Sequence, residues 1–377
     1  MYGWYLVGIL GLALLMVVHE SGHYLAARAF GMHVTKFSIG FGPTFFKIVP
    51  KDGYFWFTTG ADKIRIRLWK HDPERHGPTI YQVAMIPFLA FVQIDGMNPF
   101  EDHDPNDKHS YANASLLGRI TTIFAGPLAN YLFASVFFFG AFMYGGVPAA
   151  MLPGGDTAPD AALVSPRENS VASNAGIMKG DRVVEVAGVK ISNWQEMAEQ
   201  ISKRPGEPIK VVVERKNARI ALDMTPANEN GTGRIGVGQF EPRVALPARD
   251  AAKLAVVAPA NVVKNSFILL ARAVTGKVKA ELAGPVGMVK TVATAAKEGW
   301  EFGLELLGGI SAYLAAFNLI PLPALDGGRL LFLTYEATTR RRPNARVEGW
   351  IHATGVLMLL TLALWVTVFK DFGLGSK

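Results

Sequence analysis

The chain contains no cysteine. That excludes a thiolate metal site, a catalytic thiol and any disulfide holding an exported part together, so a bound metal must use nitrogen and oxygen ligands. Charge is also scarce. Charged residues make up 18% of the 377, against 50% hydrophobic ones, and mean hydropathy is positive at +0.22. This balance argues against an ordinary soluble domain and for a polytopic membrane protein carrying a soluble part. An excess of 38 Lys and Arg over 31 Asp and Glu leaves a formal charge of +7. No nucleic-acid-binding motif accompanies it, so no nucleic-acid partner is expected, and the cations are read as loops retained in the cytoplasm. The N-terminus lacks any Lys or Arg ahead of its apolar run, which flows directly into a polar motif. Residues 1–28 are therefore expected to be a retained first span, not a cleaved signal peptide.

Four segments approach the roughly 20 residues a bilayer needs: 1–28, 120–145, 303–328 and 349–369. The third is interrupted near its end by Asn318, Pro321 and Pro323. The loop after the first span carries Arg28, Lys36, Lys47, Lys51, Lys63, Arg65, Arg67, Lys70 and Arg75, and the loop before the fourth carries Arg329, Arg340, Arg341, Arg342 and Arg346. Both loops are predicted to be cytoplasmic, which puts both termini and the long segment 145–302 on the outer side. Within that segment, Pro259 and Lys264 interrupt the apolar run Leu254–Ala271. Residues 249–300 are accordingly expected to be an amphipathic segment at the outer membrane surface.

Between the first two spans, residues 29–119 have strand character. Tyr54-Phe55-Trp56-Phe57 and Ile64-Arg65-Ile66-Arg67-Leu68 predict hairpins, and Gln82–Val92 is too apolar for an ordinary surface strand. The sheet is expected to lie against the site or to dip into the membrane. Residues 157–240 read as an inserted α+β domain, with a helix at Trp194–Ser202 and a strand pair at Ile209–Glu214 and Arg219–Met224. Its Ala175-Gly176-Ile177 and Gly180-Asp181 stretches resemble a PDZ domain of the bacterial envelope-protease type. Such domains take extended peptide ends by adding a strand to a sheet edge.

The most informative residues are His19-Glu20-Ser21-Gly22-His23, inside the first span. Histidines at i and i+4 share one helix face at a spacing that suits a single tetrahedral zinc, and the intervening glutamate suits the general base of H-E-x-x-H hydrolases. Ionisable groups at membrane depth persist mainly for function. Two histidines leave a catalytic zinc one protein ligand short. His33, His71, His76, His103 and His109 lie in the polar loop, and His352 opens the fourth span as an interfacial residue. Asp326 stands out because it follows a proline-broken helix end, at a mouth expected to meet His19 and His23. It could instead cap a helix starting at Gly327.

Together the motifs resemble the site-2 protease family of intramembrane zinc metalloproteases, in particular the bacterial regulators of the envelope stress response, over nearly the whole chain. The resemblance rests on H-E-x-x-H, Gly40-Phe41-Gly42-Pro43, Gly126-Pro127 with Asn130, the PDZ-like insert, Gly284-Pro285, and Asn-x-x-Pro-x-x-x-Leu-Asp-Gly at 318–327. It implies one catalytic Zn2+ on His19, His23 and Asp326, Glu20 as base, and Asn318 near the substrate backbone or oxyanion. It implies a multi-pass protein of the bacterial inner membrane, with its active site towards the cytoplasm and its PDZ-like domain in the periplasm. The implied activity is cleavage of transmembrane segments of pre-trimmed single-span membrane proteins, such as an anti-sigma factor or a signal-peptide remnant. Two departures stand out. Pro87 is followed by Phe88-Leu89-Ala90-Phe91 where the family commonly has Gly-Gly-Tyr, and one PDZ-like domain stands where enterobacterial members carry two. Two other readings fit the motifs less well. One is a membrane zincin cleaving exposed loops, with Glu298, Glu301 or Glu305 as ligand; the other is a non-enzymatic PDZ scaffold.

Overall fold

The computed structural model describes residues 2–98, 100–101, 104–149, 152, 162–240, 242–276 and 284–371. It divides into two compact units, one formed by residues 1–144 and 248–377 and the other by 145–247.

Helix α1 spans Tyr2–Ala29, through a stretch that carries neither proline nor charge before His19. It stops at left-handed Gly31 (φ 76°), where the Met32 N–H reaches the Ala27 carbonyl at 2.9 Å. This is a Schellman end with its usual apolar contact, because Ala27 and Met32 share one buried cluster with Val34 and Ile94. That cluster joins the end of α1 to the sheet that follows.

The sheet comprises β1 (Val34–Lys51), β2 (Tyr54–Thr59), β3 (Arg65–Lys70) and β4 (Ile80–Ile94), with a short helix α2 (Pro73–His76) before the last strand. The strands are antiparallel in the order β3-β2-β1-β4. Asp52 and Gly53, at φ 51° and 74°, form the two-residue turn whose twist suits a hairpin. The apolar run 82–92 lies in β4, where Gln82 and Val83 pair with two stretches of β1 and Ala90–Val92 with one, leaving the latter as the edge; the side chains of 87–89 lie outside the described residues. Helix α3 (Leu116–Gly145) follows and carries Pro127 inside it.

In the second unit, β5 (Val147–Pro148), β6 (Leu163–Pro166), α4 (Val171–Asn174), β7 (Asp181–Val186), β8 (Val189–Lys190), α5 (Trp194–Ser202), β9 (Ile209–Arg215), β10 (Ala218–Met224), β11 (Ala227–Glu229), β12 (Thr232–Arg234), β13 (Val237–Gln239) and β14 (Arg243–Val244) follow in turn. The main sheet runs β10-β9-β7-β6-β13, and Val164, Val183, Val186, Val211 and Val213 bury one face of it against Met197 and Ile201 of α5. Asn193 caps α5 by accepting from the Glu196 N–H at 2.8 Å, while Glu196 accepts from the Ser192 N–H at 2.8 Å. The helix and strand pair coincide with the segments read from sequence; the expected start of this domain, residues 157–161, lies outside the described residues.

The first unit resumes with α6 (Ala248–Val274), α7 (Pro285–Glu298), α8 (Trp300–Asn318), α9 (Asp326–Thr339) and α10 (Ala345–Val366), the last running into a π turn at Thr367–Asp371. Among the described residues, four helices are long and apolar enough to cross a membrane by length and composition: Gly3–Ala29, Leu116–Gly145, Ala248–Ala273 and Ala345–Asp371. Two differences from the sequence reading emerge. Residues 249–300, expected as one amphipathic surface segment, contain the continuous helix α6, in which Pro259 is accommodated without ending the helix. The expected third span 303–328 is two helices, α8 and the start of α9, separated by a turn at 319–325. α8 falls short of that apolar character because Glu301 and Glu305 lie in its first two turns. It packs inside the bundle, where Leu307 joins Leu15, Phe137 and Val292 in one cluster.

Three contacts position the site within this unit. Gly22 of α1 abuts the Ala125 carbonyl of α3 so closely that a Cβ there would lie 2.2 Å from the oxygen. The Ser311 hydroxyl of α8 donates to the Asn130 carbonyl of α3 at 2.8 Å. Arg119, 7% exposed, grips Glu336 of α9 through two parallel hydrogen bonds of 2.9 and 2.6 Å.

Candidate metal centre

His19 and His23 stand one turn apart on α1, 6% and 5% exposed. Asp326, the first residue of α9, meets them. Its Oδ2 lies 3.2 Å from His19 Nε2 and 3.4 Å from His23 Nε2, and the two Nε2 atoms are 3.2 Å apart. Asp326 is not a helix cap: the cap position of α9 is Leu325, without a side-chain cap bond.

The donor set can be tested for a metal. His23 Nδ1 lies 2.8 Å from the Thr122 carbonyl, which can only accept, so Nδ1 carries the proton and a neutral His23 presents a lone pair at Nε2. Asp326 Oδ2 is buried and has no hydrogen-bond partner among the described residues. Lone pairs therefore converge on one point with no proton assigned between them, an arrangement a cation would stabilise. The spacing agrees. Two ligand atoms about 2.0–2.1 Å from a tetrahedral centre stand about 3.3–3.4 Å apart. The three side chains fit zinc, with a fourth position left for water or substrate.

The surroundings are shaped to this cluster. A Cβ on Gly126 of α3 would come within 2.3 Å of His23 Nε2 and 2.9 Å of His19 Cε1, so no side chain fits there. Asn130, fully buried, sets its amide 3.3 Å from His19 Nδ1, while its Oδ1 has no partner among the described residues. Turning the amide over would let Oδ1 accept from a protonated His19 Nδ1, which is the orientation a metal on Nε2 requires. Glu20, on the same helix, accepts the Val92 N–H of β4 at 3.0 Å, and this fixes its carboxylate against the sheet.

The structure thus brings together His19, His23 and Asp326, with Glu20 beside them on α1. Asn318 is the last residue of α8, on the turn leading to Asp326, and its side chain makes no hydrogen bond among the described residues. The other histidines are occupied locally: His33 stacks on His109 at 4.2 Å, and His71 Nε2 lies 2.8 Å from the Gly77 carbonyl. His103 lies outside the described residues. Among the described residues, no glutamate supplies a further ligand atom to the cluster. Sequence reasoning singled out Gly126, Pro127 and Asn130 without a role for them, and it had no signal for the Thr122 carbonyl or the Val92 N–H.

The family described as Peptidase family M50 matches residues 7–59 and 64–362. A Nostoc sp. (strain PCC 7120) protein named, by inference, as a zinc metalloprotease is 29% identical over 96% of this chain and 94% of its own length. An Agrobacterium fabrum protein named in the same way is 29% identical over 95% and 93%. Regulator of sigma-E protease RseP of Escherichia coli is 26% identical over 97% of both chains.

Proposed function

The chain belongs to peptidase family M50 and is a zinc metalloendopeptidase; on that premise we propose that it cuts peptide bonds in transmembrane segments of single-span membrane proteins. The observation that carries this reading is the convergence of Asp326 on His19 and His23 of α1, a helix long and apolar enough to cross a membrane.

His19, His23 and Asp326 would hold the zinc, which would supply Lewis-acid polarisation of the scissile carbonyl and lower the pKa of a bound water towards neutrality. Glu20 accepts the proton of the attacking water and delivers it to the leaving amine; its bond to Val92 keeps the carboxylate from swinging away. Asn318 supplies a side-chain donor to the oxyanion or the substrate backbone. A helical substrate hides its carbonyls in its own hydrogen bonds, so it unwinds first, and the edge of β4 beside Glu20 offers backbone groups to pair with the opened strand.

In this reading α1, α3, α8 and α10 cross a bacterial inner membrane, α8 sheltered by its contacts with α1 and α3, while α6, also long and apolar enough to cross, lies along the outer surface because Lys264 interrupts its apolar run. The sheet β1–β4 is on the cytoplasmic side and both termini are outside. The 145–247 unit is periplasmic and PDZ-like. Its outermost strand β13 and helix α5 flank a groove lined by Trp194, Met197, Ile201 and Gly236, and an extended peptide end would add to the sheet there. Proteins already trimmed by another protease, such as an anti-sigma factor or a signal-peptide remnant, are the substrate class.

The test is cleavage of a reconstituted single-span substrate, with the cut mapped by mass spectrometry, by wild-type protein and Glu20→Gln. Cuts inside the apolar segment that disappear in Glu20→Gln support the reading. Cuts confined to soluble flanks, or turnover by Glu20→Gln at about a tenth of wild type or more, contradict it.

A further inference from the structure

Asp326 reaches the histidines from the end of a turn, residues 319–325, whose backbone is strained at one point. Ala324 adopts φ +75°, in the left-handed region that residues with a Cβ rarely occupy. Such a conformation persists when its surroundings over-determine it. Those surroundings come from α10. His352 Nδ1 accepts the Ala324 N–H at 3.1 Å. Nδ1 accepts, so the ring proton sits on Nε2; among the described residues Nε2 has no partner and the bond to the turn is the ring's one hydrogen bond. The ring is braced by Phe332 at 5.8 Å between centroids, and Gly355 lets α10 close on Pro323, where a Cβ would lie 2.4 Å from the proline Cβ.

We propose that His352 is a positioning residue for the metal centre: by accepting the Ala324 N–H it holds the left-handed turn that delivers the Asp326 carboxylate to His19 and His23. The inference rests on the reading of Asp326 as a zinc ligand. Its chemistry is narrow. The role needs an acceptor at the δ position of residue 352, not a charge, a metal ligand or mere bulk. Without that acceptor, the Ala324 N–H is left unpaired inside the turn, nothing offsets the left-handed backbone, and Asp326 sits two residues further along the same strained segment.

The test is the rate of zinc loss to a competing chelator, measured on the full chain in lipid nanodiscs, with folding followed by thermal melting. The variants are Asp326→Ala, His352→Ala, His352→Leu, His352→Asn, Ala324→Gly, and His352→Ala with Ala324→Gly. His352→Ala and His352→Leu should lose zinc roughly 10–100-fold faster than wild type, the usual cost of removing an outer-shell support. His352→Asn, whose Oδ1 stands where Nδ1 stood, should remain within about threefold of wild type. Ala324→Gly should be nearly silent alone and should restore His352→Ala to within about threefold, because glycine takes up the left-handed turn without support. A general folding defect would not be repaired by a glycine at 324. Wild-type zinc retention in His352→Leu would overturn the inference, as would a defect that neither His352→Asn nor Ala324→Gly repairs. Wild-type retention in Asp326→Ala would instead overturn the ligand reading, and the inference with it.

Discussion

Asp326 Oδ2 lies 3.2 Å from His19 Nε2, although one residue opens α9 and the other sits in α1. Neither a lone pair on imidazole nor a buried carboxylate oxygen has reason to approach the other so closely unless a proton or a cation lies between them. His23, held by Thr122 through Nδ1, points its second nitrogen at the same place. The α1–α3 contact and the turn after α8 both serve this meeting point.

Gly126 is the first test of that packing. Gly126→Ala puts a methyl group into the space of both imidazoles, and the backbone of α3 is held against α1 at Gly22 and cannot retreat easily. Zinc affinity should fall at least about tenfold while the helix content by circular dichroism is unchanged. Unaltered affinity would mean that the helices separate more readily than their contact implies.

Asn130 should act through orientation. Asn130→Ala removes the partner of His19 Nδ1 and should weaken zinc binding roughly 10–100-fold, whereas Asn130→Asp, which can only accept when ionised, should retain more of it. The check is competition against a chromophoric chelator. If Asn130→Asp binds zinc no better than Asn130→Ala, the amide does not accept from the ring.

Much of this was legible from residue order, for stated reasons. The His19-Glu20-Ser21-Gly22-His23 spacing is local, so helical periodicity alone places both rings on one face. Asp326 was conspicuous because Pro321 and Pro323 break the helix before it. Strand pairs such as β9 and β10 alternate cleanly and are joined by a tight turn. What escaped was set by neighbours. Pro259 looks like a helix terminator in sequence, yet α6 continues through it. Residues 303–328 read as one span, yet they are α8 and the start of α9, separated by a turn at 319–325 that is held by neighbours distant in sequence. His352 looked like an interfacial residue because nothing in the order of residues reveals that its ring meets Ala324.

In the 145–247 unit, Asp181 is 1% exposed and accepts from the Met178 N–H at 2.8 Å and from Arg215 at 2.8 and 2.7 Å. Burial alone would raise its pKa, but these hydrogen bonds and the guanidinium charge hold it below the usual carboxylate value. A lowered pKa in the folded state stabilises above the unfolded value, near about pH 4, and the stabilisation is lost as pH falls through the folded value. Asp181→Asn should therefore cost roughly 1–3 kcal/mol at neutral pH, read as faster amide exchange in β7 and β9. The gap between the two proteins should narrow below about pH 4. A gap independent of pH would show that the carboxylate charge is not what stabilises this unit.

The account turns on one site built from two distant helices, and zinc content measures it directly. Wild type, His23→Ala and Asp326→Ala, purified side by side in detergent, should be analysed for zinc per chain. The account predicts about one zinc in wild type and a large loss in both variants. Zinc retained in full by Asp326→Ala would contradict it.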